Sequence, residues 1–453
     1  NMRPLLEMLE DAGLAFVREP DGSYRRTEGF GQPGAWWLHI TKGMTLKRKI
    51  ARIVRSMGVD VLDHAMAVLI LTDCGRACGA LAWNVRNGAF YLIKAKTVVS
   101  AQGRGAARTS NNSTRNAFNI WQYPYNTSGG FVLGLSAGAK IMNMDTYQRA
   151  TLIPKGYGAP GMNGINSMGG KQLNALGERF MFKYDPKGEN GVRNSQIHGT
   201  YQELLEGKGP PFVMDMTHFD PKEADHLQYV LMPGDKATYN DWTAVMDIDF
   251  KRDPLEVELS EITLGGMLYT DDHFETNVPN LFNGSVFLYL SGALCGGYAA
   301  GERAAAVAGG VDRFGTLDED LAAVVKKDLF APLRCKDHLS YKELESTVRN
   351  VMDYYVGFRR SRKGLETAAK KIEFLASHQD RLKANDYREL MRCIEAKDIL
   401  TVSRLSIFAT LLREESGRSI YTRPDFPDIN PSLNQPLVIW EENGELTHHW
   451  GKQ

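Results

Sequence analysis

Three observations predict an α/β fold of dinucleotide-binding type with a β-meander, an inserted α+β capping domain and a C-terminal helical bundle. Residues 59–106 run through three strand-like segments, VDVLDHAMAVLILT, GALAWNV and AFYLIKAKTVVSAQ, into a loop of small residues. Residues 150–262 change texture to short segments broken by Gly, Pro, Asn and Met, as suits a globular insertion. From Ser340 onward, Leu344, Val348, Val351 and Tyr355, then Leu365, Ile372 and Leu375, then Leu390 and Ile394 recur at helical spacing.

The elements follow in order. Residues 1–60 read as a helix (PLLEMLEDAGLAF), an irregular Gly/Trp loop and a second helix (LKRKIARIVRSMG). DCGRACG and RNG supply the turns between the strands. The last strand is almost wholly apolar at Thr97–Ala101, as a buried parallel strand is, and empties into Gln102-Gly103-Arg104-Gly105. Small residues there let a cofactor approach the backbone. In GSVFLYLSGALCGGYAAGERAAAVAGG, a second apolar strand is expected at Val286–Leu290, ending on Ser291-Gly292, with a helix starting at Gly296-Gly297-Tyr298. A glycine-built helix N-terminus offers free N–H groups and a positive dipole end. The Pro/Asn-broken tail after Gly417 ends in a strand-like hairpin. Domain limits are expected at 1–149 and 263–330 for the two parts of the cofactor domain. The cap is expected over 150–262, the helical domain over 331–420, and a tail offering a partner contact over 421–453.

Composition sets bounds. With 453 residues and 43% apolar content the chain can bury several cores. Its 54 basic residues balance 54 acidic ones, which argues against a nucleic-acid binder. No apolar run reaches the length of a membrane span. Five scattered cysteines (Cys74, Cys78, Cys295, Cys335, Cys393) fit a reducing, cytoplasmic setting. Cys74 and Cys78 supply too few ligands for a zinc or iron–sulfur site and read as part of a hairpin, so no metal is expected. The strand–Gly-rich turn–helix unit that opens dinucleotide folds is not found at the start, which begins in mid-helical pattern as part of a longer protein would.

In order and spacing, GALAWNVRNGAFYLIKAKTVVSAQG, NTSGGFVLGLSAGAKIMNMD, GYGAPG, VRNSQ, LLREES and YTRPDFPDIN resemble the succinate dehydrogenase/fumarate reductase flavoprotein family, and within it the dissimilatory adenylylsulfate reductase α-subunit branch. The resemblance implies an α/β FAD-binding fold and an FAD-dependent oxidoreductase. It implies one member of a hetero-oligomer, which exchanges electrons with an iron–sulfur partner and acts on a small anionic substrate.

Residue by residue, the resemblance assigns Ala101, Gln102, Gly103, Arg104 and Gly105, and Ser291, Gly292, Gly296, Gly297 and Tyr298, to the cofactor. The acid expected at the flavin's ribitol is not matched. Trp121 matches a substrate-stacking tryptophan, or is a core aromatic. Arg193 matches a substrate-anchoring arginine, or forms an ion pair at a domain seam. His198 is a candidate acid/base, and Glu261 a candidate base if burial raises its pKa. Lys155, beside GYG, faces the pocket or is solvated. Two expected substrate contacts are replaced: Leu152 stands for an arginine and Met267 for a histidine. Each charge-assisted contact contributes about 1.5–3 kcal/mol, so the loss of both argues for a substrate other than adenylylsulfate. The dicarboxylate pattern is no better kept, since Ile153-Pro154-Lys155-Gly156 lacks its histidine and Glu261 stands where a cation is expected.

Overall fold

Strand-forming residues dominate 65–100, and the computed structural model folds them as the sequence pattern asks. It describes the chain except residues 1, 28–33, 35–36, 42, 113, 115, 121–122, 129, 159–161, 236–237, 265, 288, 419 and 452–453, and except the side chains of 27, 37, 44, 147–151, 162–163, 234–235 and 261–264. Helices α1 (Met2–Asp11) and α2 (Leu46–Ser56) flank short strand pairs. An antiparallel meander follows: β1 (Ala65–Asp73), β2 (Arg76–Asn84) and β3 (Phe90–Lys94). Asp73 faces Arg76 across a two-residue turn whose central residues, Cys74 and Gly75, have φ of 49° and 73°. DCGRACG is therefore the hairpin expected.

The segment expected as one strand, AFYLIKAKTVVSAQ, is two: β3 stays in the meander, while β4 (Val98–Ser100) joins another sheet. Helix α3 (Phe131–Ser136) and β5 (Ile141–Met142) lead into the inserted region, which holds β6 (Tyr147–Pro154), β7 (Lys171–Leu173), α4 (Arg193–Leu205), β8 (Phe212–Asp215), α5 (Pro221–His226) and β9 (Leu255–Leu264). Its antiparallel sheet, ordered β6–β9–β8–β7, covers a core of Leu152, Ile165, Phe180, Phe212, Met214, Tyr239 and Phe250.

The chain returns through β10 (Met267–Leu268) and β11 (Leu281–Asn283), which pairs in parallel with β4: Val98 opposite Leu281, Val99 opposite Phe282, Ser100 opposite Asn283. Helix α6 then spans Tyr289–Gly309. Here the sequence expectation fails. Val286 and Phe287 are not in a strand, Tyr289 and Leu290 are helical, and the helix begins seven residues before Gly296. Short apolar runs do not distinguish a buried strand from a helix lead-in. VFLYL is the latter, because LFN has already taken the place beside β4.

The bundle of α7 (Tyr341–Tyr355), α8 (Arg362–Ala376) and α9 (Tyr387–Leu412) packs around Leu344, Val348, Leu365, Ile372, Leu390 and Ile399. Ser340 and Glu343 form a reciprocal capping box at its start. The tail hairpin, β12 (Leu437–Glu442) and β13 (Glu445–Trp450), extends a sheet ordered β10–β5–β12–β13. Tyr421, Arg423, Leu437, Val438 and Ile439 are buried and anchor the tail, while the other described residues of 421–451 keep accessible surface. No helix among the described residues is long and apolar enough to cross a membrane.

Candidate active site

Ligands of open parallel sheets bind beyond the carboxyl ends of the strands. At that end of β4 the backbone leaves Ser100 and turns through Gly103 at a φ of 82°. The turn is braced from two sides. Gly103 N donates to Ser285 Oγ (2.9 Å), and Gly284 N to the Ser100 carbonyl (2.9 Å). Asn126 Nδ2 donates to the Gln102 carbonyl (2.6 Å), while Gly130, at a φ of 78°, leaves no room for a side chain against Ser100 Oγ. Arg104 reaches the Gly266 carbonyl (3.0 Å) and the Val286 carbonyl (3.4 Å), tying the loop to β10 and to the approach to α6. Burial pulls its guanidinium pKa down. Ala101 and Gln102 remain exposed at the tip.

The second set of expected cofactor residues lies elsewhere than the sequence placed it. The strand end beside the loop is Asn283-Gly284-Ser285, not Ser291-Gly292. Ser291 and Gly292 sit in the first turn of α6, where a Cβ on Gly292 would stand 2.6 Å from Phe287 Cβ. Gly296 and Gly297 are mid-helix. A Cβ on Gly296 would come within 3.2 Å of the Gly284 carbonyl oxygen, and one on Gly284 within 3.4 Å of Gly297 Cα. These glycines bring helix and strand end into contact instead of opening a helix toward a ligand. Tyr298 is exposed on the far side. Asn283, Gly284 and Ser285 escaped the sequence reading because a three-residue strand gives no periodicity to find.

The residues fit the flavin half of a dinucleotide: the crevice expected beyond the ends of two parallel strands is edged by small residues (Ala101, Gly103) and hydrogen-bonding groups, with Gly284 packed behind them against Gly297. Among the described residues no strand passes through a Gly-x-Gly-x-x-Gly turn into a helix, the feature that receives a pyrophosphate.

The inserted region carries the candidate substrate residues. Arg193 is the first residue of α4 and is largely buried; desolvation lowers its pKa, opposed by the phenol of Tyr289, the first residue of α6. Tyr289 has a φ of 65°, an uncommon conformation for a non-glycine residue. A helix start and a guanidinium each favour an anion. His198 lies five residues along α4, about 140° around the helix from Arg193, and so occupies another sector. Lys155 does not enter the crevice: its Nζ pairs with Glu256 Oε1 at 2.5 Å, with both side chains nearly half exposed. That pairing raises the lysine pKa. Leu152 is buried in the core of the inserted region, and Met267 pairs with Met142 between β10 and β5. Gly158, at a φ of 78°, would place a Cβ 2.0 Å from the Asn119 carbonyl oxygen, so the GYG turn rests on the loop that leads to Trp121. Trp121 itself lies outside the described residues. So does the side chain of Glu261, whose backbone faces Arg149 across the β6–β9 ladder.

At the opposite seam His39 Nδ1 lies 3.4 Å from His226 Nε2 of α5, with the rings stacked at 5.6 Å. Burial, then the charges of Arg25 and His226, push His39 down to about 4, which keeps it neutral near pH 7. No sequence pattern joined these two.

A parallel strand-end crevice behind a meander, closed by an inserted α+β region and flanked by a helical bundle, is the architecture of a flavin-dependent oxidoreductase. The FAD binding domain family model matches residues 1–318, and that of the fumarate reductase flavoprotein C-terminal region matches residues 345–447. The chain belongs to the succinate dehydrogenase/fumarate reductase flavoprotein family and is an FAD-dependent oxidoreductase. It is 25% identical to a polypeptide of the fumarate reductase (CoM/CoB) of Methanothermobacter marburgensis, over 96% of this chain and 80% of that one. It is 24% identical to L-aspartate oxidase of Pseudomonas aeruginosa, over 96% of this chain and 82% of the other. Its fold matches adenylylsulfate reductase from Archaeoglobus fulgidus with a TM-score of 0.87 at 19% identity, covering 100% of this chain and 81% of the other. A quinol fumarate reductase of E. coli gives a TM-score of 0.86 at 19% identity, covering 100% and 82%.

Proposed function

We propose that this chain is the flavin-bearing catalytic part of an enzyme that oxidises or reduces a small anionic substrate other than adenylylsulfate and passes electrons to or from an iron–sulfur partner. The observation that supports this reading is a largely buried guanidinium, Arg193 at the start of α4, within electrostatic reach of Tyr289 at the start of α6, while Leu152 and Met267 supply no charge where the resemblance expects one. An anion is favoured by the guanidinium and by the helix start. In this reading FAD supplies hydride exchange at its N5, while Ala101–Gly105 and Gly284–Ser285 hold the ring system. Arg193 orients the substrate's negative group, and Glu261 moves a proton, since His198 stands on another sector of α4. Its relatives include a fumarate reductase, a succinate dehydrogenase and an L-aspartate oxidase, which is consistent with an anionic substrate.

The test is anaerobic. Purified chain is examined for a flavin absorption band that bleaches with reductant, then assayed with a reduced dye against a panel of small carboxylates and with AMP plus sulfite. Turnover on a carboxylate, falling about 10–100-fold in Arg193→Ala, is expected, the loss of one charge-assisted contact being about 1.5–3 kcal/mol. Turnover of AMP and sulfite would restore adenylylsulfate as substrate. Flavin binding without turnover on any acceptor would point to a scaffold role instead.

A further inference from the structure

Between the strand-end loop and the helical bundle lies a second segment, 126–128, which touches both. Toward β4, Asn126 Nδ2 holds the Gln102 carbonyl and the Asn126 carbonyl accepts from Ala107 N (2.8 Å). Toward α9, Thr127 Oγ1 donates to Asp398 Oδ2 (3.4 Å), and the Ser128 hydroxyl bonds to the same carboxyl. Thr127 and Ser128 are buried, so neither hydroxyl can exchange this partner freely for bulk water.

Asp398 lines a cavity of ≈ 1210 Å³ between the meander and α9. Protein packs around it, yet it keeps some accessible surface, which it owes to that cavity. The charge that acts on it, Glu395, is paired with Arg108 and Arg392. The rest of the cavity wall carries His64 and Arg86 from the meander, Asp328, and Arg388 and Lys397 from α9. Burial first, then the Glu395 charge, push the Asp398 carboxyl up to about 7. Below that pH the carboxyl is protonated and competes poorly for two hydroxyl donors; above it the carboxylate accepts both. Nothing in the catalytic reading uses this group.

We propose that Asp398 is a positioning residue for the flavin: its protonation sets residues 126–128 and, through Asn126, the backbone at Gln102–Gly103 against which the ring system rests. This builds on the assignment of loop 101–105 to the cofactor, and the test separates the two. Hydrogen–deuterium exchange of residues 101–107 and 126–128 is followed in the full chain at pH 6 and pH 8, with rates corrected for intrinsic pH dependence. Wild type is expected to protect both loops more strongly at pH 8, by about fivefold, the effect of one net hydrogen bond. Asp398→Asn is expected to show no pH response, and so is Thr127→Val/Ser128→Ala, which keeps the carboxyl and serves if the asparagine variant does not fold. An equal pH response in wild type and variants, or none in wild type, overturns the proposal. In parallel, FAD is titrated by fluorescence at both pH values. A pH-responsive loop with FAD affinity that does not change with pH shows that the loop moves without seating the flavin, which overturns the coupling.

Discussion

The two longest helices, α9 with 26 residues and α6 with 21, are both rich in apolar side chains, yet the fold uses them in opposite ways. Fourteen residues of α9 are buried, from Leu390 to Thr410, and they include polar groups whose bonds are made within the helix or across it: Ser403 to the Ile399 carbonyl, Thr410 to the Ser406 carbonyl, Glu395 to Arg108. In α6 only Gly296, Ala300 and Ala304 are buried, a single stripe at fourfold spacing against Phe282. Apolar content therefore does not tell how many faces of a helix are packed. Residue size along one stripe tells which face makes the closest approach.

The sharpest way to break this contrast is truncation. Leu405→Ala, in the middle of α9 at full burial, is expected to cost about 3 kcal/mol, read as a lowered midpoint in denaturant unfolding, because it opens a cavity in a core shared by the bundle and the strand layers. Tyr298→Ala, on the open side of α6 with the residue 58% exposed, is expected to stay within about 0.5 kcal/mol. A loss for Tyr298 comparable to that for Leu405 would show that this face of α6 is covered in the working protein.

Adjacent glycines sharpen the contrast at a smaller scale. A Cβ on Gly297 meets nothing within 4 Å, whereas one on Gly296 meets the Gly284 carbonyl at 3.2 Å. Gly297→Ala should therefore raise thermal stability by about 0.5–1 kcal/mol, the ordinary gain of alanine over glycine in a helix. Gly296→Ala should forfeit that gain, because the strand end beside loop 101–105 must give way. Equal gains for both would mean that the stripe is not the contact face.

These glycines also mark where the sequence was legible. The meander hairpin and the three bundle helices could be read because turn residues and apolar spacing act locally. Gly296-Gly297 was misread because glycine serves both as a helix opener over a ligand and as a spacer for close packing. Only the position of Gly284 distinguishes the two, and that is a tertiary fact. The same holds for the site. Loop 101–105, proposed to hold the flavin, stands out by composition after an apolar strand. Tyr289, Ser285, the His39–His226 pair and the bond from Thr127 to Asp398 join residues far apart in the chain, and no local pattern connects them.

Lys155 gives the smallest expected effect and tests that lesson most directly, since sequence alone left it between pocket and solvent. Its pair with Glu256 is exposed, and such pairs contribute about 0.2–1 kcal/mol that salt screens further. Lys155→Ala should move the unfolding midpoint by no more than that and leave kcat/KM within about twofold, because an exposed charge paired away from the crevice contributes nothing specific to the transition state. Raising ionic strength should erase the small stability difference between variant and wild type. A tenfold fall in kcat/KM would instead mean that Lys155 exchanges Glu256 for the substrate when the inserted region closes, and the two sides of the crevice would then have to share the anion between Lys155 and Arg193.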